Sequence, residues 1–140
     1  VSERAQPEAE PRFFLEPDPA WDVSTIDGDL LEVELSWFPD ALEGRLDELL
    51  VSPALVDSLM AAGITGFTTG PGRGFFTDNA LVDPNTMPPA LVRLLVGDDV
   101  SADLAYLSRE CLVASDRARA IISQHCTRLD VEEVKRPLNA

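Results

Sequence analysis

The apolar positions along the chain change period several times, and each change predicts an element. RFFLE (12–16) is a short apolar run that can open the first strand. A loop, PDPAWD (17–22), follows, with Trp21 placed to plug the edge of the core. After the turn signal Asp27-Gly28, Leu31, Val33 and Leu35 alternate with Glu32, Glu34 and Ser36. Period two with charged alternates describes a strand with one wet face. In PDALEGRLDELL (39–50) the period becomes helical, with Leu42, Leu46, Leu49 and Leu50 on one side and Asp40, Glu43 and Asp47 exposed. Pro39 suits a first helical turn, whereas Gly44 weakens a helix interior, and the end of the stretch, ELLVS, also reads as a strand.

LLVSPALVDSLMAAGITGF (49–67) is the clearest segment. Ser52 reads as an N-cap and Pro53 as the first helical residue, where no N–H is needed. Leu55, Val56, Leu59 and Met60 form the apolar stripe, and Gly63 stops the helix. ITGFTT (64–69) is rich in β-branched residues and reads as a return strand. GPGRG (70–74) reads as a turn or loop. It is not a phosphate loop, because no Lys-Ser/Thr follows the last glycine. FFTDNALVDPN (75–85) is open between strand and loop. PPALVRLLVG (88–97) predicts a helix with Leu91, Leu94 and Leu95 inward. Residues 98–115 allow either a helix capped at Ser101 or strand around LAYL. CLVA (111–114) then repeats the earlier pattern: an apolar run, the N-cap Ser115, and a helical stripe of Ala118, Ile121 and Ile122 with Arg117 and Arg119 outside. LDVEEV (129–134) is the second return strand.

A chain of 140 residues with 45% apolar content normally makes one domain. The fold expected is a single α+β domain (12–136) holding two strand–Ser-capped-helix–strand units, with polar tails at 1–11 and 137–140.

Charge adds the kind of partner to expect. The net charge is −14. Residues 1–50 hold 14 acids and three arginines, whereas 51–140 hold 11 acids and eight basic residues, so the acidity belongs to the first third. Such a polyanion is repelled by nucleic acid and by anionic membranes, and a basic protein domain is the better match. The candidate partner-binding residues are Asp27, Asp29, Glu32, Glu34, Asp40, Glu43, Asp47 and Glu48. Trp37 or Phe38 is the candidate apolar anchor among them. A purely solvating acidic surface is the plainer reading.

Candidate chemistry is sparse. Cys111 and Cys126 are not in CxxC spacing, and a zinc site built on Cys111, His125 and Cys126 would need a further ligand. No cofactor or metal is expected. The sole histidine has no evident nucleophile as partner, so an enzyme is not expected. Pairs such as Asp27/Asp29 and Asp98/Asp99 leave a carboxylate-based enzyme open, and the acidic surface leaves a nucleic-acid mimic open. No apolar run of transmembrane length occurs, and the polar VSERAQPEAEPR is unlike a secretory signal, which predicts a cytoplasmic protein.

LLVSPALVDSLMAAGITGF and LVASDRARAIISQH resemble the strand–Ser–helix units of immunity proteins from bacterial polymorphic-toxin systems. They are similar in particular to the family catalogued as immunity protein eleven, whose members carry a v-v-S-e-x-h-x-x-h-L pattern, with h apolar. The resemblance implies a cytoplasmic, non-catalytic protein that neutralises a cognate toxin by occluding its active site. The alternative is an acidic, non-catalytic binding module such as a secretion adaptor, chaperone or regulator.

Overall fold

The computed structural model describes residues 11–135, so the tails expected at 1–11 and 137–140 fall almost wholly outside the described residues. Ten strands and two helices are described: β1 (Arg12–Glu16), β2 (Trp21–Asp27), β3 (Leu30–Trp37), β4 (Leu42–Arg45), β5 (Glu48–Val51), α1 (Pro53–Ala61), β6 (Phe67–Leu81), β7 (Val92–Val96), β8 (Leu104–Ser108), β9 (Cys111–Ser115), α2 (Asp116–His125) and β10 (Asp130–Glu133). The strands make a six-stranded sheet, β2-β3-β6-β7-β5-β4, and a four-stranded sheet, β10-β1-β9-β8. The protein is a single α+β domain.

The two units share more than a serine. In the first, the β4–β5 hairpin leads into α1, and β6 returns parallel to β5 with antiparallel β7 between them. In the second, the β8–β9 hairpin leads into α2, and β10 returns parallel to β9 with antiparallel β1 between them. Each helix therefore crosses over one intervening strand. That strand follows the first unit in sequence, whereas in the second it comes from the start of the domain. Both caps have the same geometry. Ser52 and Ser115 are extended, and each hydroxyl accepts the backbone N–H three residues on, from Leu55 and Ala118, at 3.2 Å. Gly63 takes a φ of 68° just past α1, as a helix stop requires.

One core joins both sheets and both helices. It includes Leu49 and Val51 of β5, Leu55 and Leu59 of α1, Leu94 of β7, Leu112 of β9 and Ile122 of α2. A second core lies within the curl of the six-stranded sheet, around Trp21, Leu31, Val33, Leu35, Leu50 and Leu91. The curl brings the sheet's two edges together. Asp18 bridges to Glu43, and the indole of Trp21 and the hydroxyl of Ser24 both donate to Glu48.

Three expectations are corrected. Residues 39–50 form the β4–β5 hairpin, not a helix, although the strand reading of ELLVS holds. Leu50 faces one core and Leu49 and Val51 face the other, so the strand is apolar on both sides and its run of leucines imitates a helical stripe. PPALVRLLVG contributes β7, between β5 and β6: Leu94 is buried on one face and Leu95 half-buried on the other, so leucines on both faces again imitate a helical stripe. GPGRG is the middle of β6, not a turn. A Cβ on Gly72 would meet Leu50 Cδ2 at 2.4 Å and the Arg93 backbone nitrogen at 2.8 Å. The glycines there permit close strand packing, which composition alone disguises as loop. On a smaller scale, Met60 is exposed while the rest of its stripe is buried.

Candidate interaction surface

Strand register collects several of the acidic candidates on one face. Thr25, Glu32 and Arg73 lie side by side across β2, β3 and β6, and Val23, Glu34 and Phe75 form the adjacent row. Leu31, Val33 and Leu35 are buried on the other face, so alternation delivers Glu32 and Glu34 outward, where both are half-buried. Asp27 ends β2 on the same face. Val23 and Phe75 are exposed large apolar residues. The face thus mixes carboxylates with apolar surface.

Its charges are unevenly paired. The Arg73 guanidinium bonds Glu32, in a surface ion pair. Among the described residues, Glu34 has only the Thr77 hydroxyl as a donor, at 3.3 Å. Asp27 and Asp29 are exposed at the β2–β3 turn, around Gly28 with its φ of 62°. Asp47 is exposed and ion-paired with Arg109 at 3.5 Å, and half-buried Glu48 is occupied by Trp21 and Ser24.

Asp40 and Glu43 are not on the surface, which corrects the exposure expected from a helical 39–50. The Asp40 carboxylate accepts from the backbone N–H groups of Thr127 and Arg128, at 2.9 and 2.7 Å. Glu43 is fully buried on β4. One of its oxygens accepts from Arg128, at 3.2 Å, and from the Asp40 backbone N–H. Oε2 has no partner among the described residues. Burial pushes the Glu43 carboxyl from 4.5 up to about 8. The two residues anchor the segment after α2 to the six-stranded sheet.

The two candidate anchors also differ. Trp37 donates to Asp18 Oδ2 at 2.6 Å and packs against the second core, so it is largely structural. Phe38 is exposed, with its ring centroid 6.5 Å from that of Phe76.

Neither a protein-family model nor a curated protein sequence matches the chain.

Outside this face, two polar clusters escaped the sequence reading. Asp103 accepts from Thr65, Ser115 and Arg117, which holds its carboxyl well below the usual range, the arginine contributing most. His125, expected to lack a partner, has its Nε2 3.1 Å from Ser58 Oγ. The distance suits a nucleophile and base, but no carboxylate orients the ring's other nitrogen among the described residues. The contact clips α2 to α1.

Cys111 and Cys126 are free thiols, and burial, followed by the charge of Asp40, pushes Cys126 up to about 12. Among the described residues, no group of three or more His, Cys, Asp or Glu side chains is placed to hold a metal ion. No described helix is long and apolar enough to cross a membrane.

Val23 and Phe75 were missed because a strand partner must be known before residues 40 or more positions apart share a face. Neither DVSTID nor RGFFT alternates apolar with polar positions, so no local signal marked them.

Proposed function

We propose that the protein is a non-catalytic binding module of the immunity type, which neutralises a basic toxin domain by covering its active site. The observation that carries the reading is the double row on β2, β3 and β6: Glu32 and Glu34 flanked by Val23, Thr25, Arg73 and Phe75. Carboxylates on such a face steer a cationic partner to fast association, and exposed Val23 and Phe75 supply apolar area that is desolvated on docking. The outer face of a curled sheet suits a protein surface better than a small molecule, whose sites are concave. The paired strand–Ser–helix units agree with the resemblance noted in the sequence.

The test is co-expression with a toxin-like domain encoded next to this chain. Restored growth and a stable purified complex are expected. Undiminished toxicity, or rescue without a complex, would overturn the reading.

A further inference from the structure

A groove of about 880 Å³ lies between the start of the domain, the β4–β5 turn and β10, away from the β2–β3–β6 face. Its chemistry is lopsided. Glu16, Glu110, Asp130 and Glu132 line it, and none of the four has an ion-pair partner among the described residues. The two arginines on its wall are already engaged, Arg45 with Asp22 and Arg128 with Asp18 and Glu43. Two exposed apolar side chains, Leu46 and Val131, also line it.

Leu46 is the unusual one. It holds a φ of 54°, alone among the described non-glycine residues, at the first position of the two-residue turn joining β4 to β5. Turns with that backbone favour glycine there. The Tyr106 hydroxyl donates to the Leu46 carbonyl at 2.8 Å and fixes the turn against β8. The turn therefore presents a leucine to solvent in a conformation that glycine would adopt with less strain.

We propose that this groove binds a basic, apolar-alternating segment of a partner protein, with lysine or arginine side chains meeting the unpaired carboxylates and an apolar side chain seated on Leu46 and Val131. Charge complementarity selects this occupant: unengaged anions outnumber unengaged cations on the wall four to none. The site is independent of the toxin-directed face.

The experiment uses the full chain, isotope-labelled, titrated with three synthetic octapeptides: alternating Lys-Val, alternating Lys-Ser and alternating Glu-Val. The Lys-Val peptide is expected to shift the amide signals of the β4–β5 turn and β10, and to bind at least about tenfold tighter than either control. Leu46→Gly should weaken it at least about fivefold while leaving the melting temperature unchanged or higher, because the turn strain is relieved. The exposed pair Asp130→Lys/Glu132→Lys should abolish binding, whereas Glu32→Lys/Glu34→Lys should leave it intact. Equal binding of Lys-Ser and Lys-Val, shifts confined to other surfaces, or wild-type affinity in Leu46→Gly would each overturn the proposal. So would groove signals that change with protein concentration before peptide is added, since the occupant would then be a second copy of the chain.

Discussion

Arg117, in the first turn of α2, holds Asp103 at 2.7 Å and with the same guanidinium donates to the carbonyls of Ala62 and Gly63 at the end of α1. One side chain thus ties the loop before β8 to both helices. Asp103 also accepts the hydroxyl of Ser115, which is itself the N-cap of α2.

The two caps should therefore differ in worth. Ser52→Ala removes one cap and should destabilise by about 1 kcal/mol. Ser115→Ala removes the cap and also strips a buried carboxylate of a donor, so about 2–3 kcal/mol is expected. Urea titration of both variants measures the difference. Equal losses would mean that the Ser115–Asp103 bond contributes nothing.

Asp103 and Glu43 predict opposite pH limbs. The folded pKa of Asp103 is depressed, so its contribution is present above its ordinary value of 3.8 and is lost as pH falls below it. Glu43 is raised, from 4.5 to about 8, so its contribution is full below 4.5 and fades as pH rises through 8. Glu43→Gln keeps the buried shape and the acceptor oxygen without the ionisable proton. Its melting temperature should exceed that of wild type by a few degrees at pH 9, with the advantage gone at pH 5. A constant offset at both values would contradict the assignment of the alkaline limb to Glu43.

The sequence revealed elements with local signals and hid those set by distant partners. Alternation across Leu31–Ser36, and the serine caps with Gly63, are local chemistry, and each stands where the pattern put it. The repeat was legible as strand, cap and helix, but the strand between each parallel pair was not, because β7 and β1 enter from outside the repeated stretches. β5 misled because burial on both faces erases period two, and β7 because leucines stand on both of its faces. Of the candidate surface, Glu32 and Glu34 were placed by alternation. Asp40 and Glu43 were misplaced with the helix, and Val23 and Phe75 needed the register.

Gly72→Ala tests the strand reading of GPGRG. A loop would accept the methyl. In β6 it must displace Leu50 and the Arg93 backbone, so a loss of about 3 kcal/mol or failure to fold is expected on thermal melting. A variant as stable as wild type would return the segment to a loop.

If the β2–β3–β6 face meets a basic partner, its carboxylates set the association rate. Stopped-flow association with the basic toxin domain proposed as its partner measures that rate, for wild type, Glu34→Lys and Glu32→Lys/Glu34→Lys, at low and high salt. Glu34→Lys guards against a folding artefact, because Glu34 lacks the Arg73 pairing of Glu32. With this face as the docking surface, the association rate is expected to fall by about tenfold or more on reversal at low salt, and the wild-type rate to drop as salt screens the field. A wild-type rate indifferent to salt and unchanged by either reversal would contradict that placement.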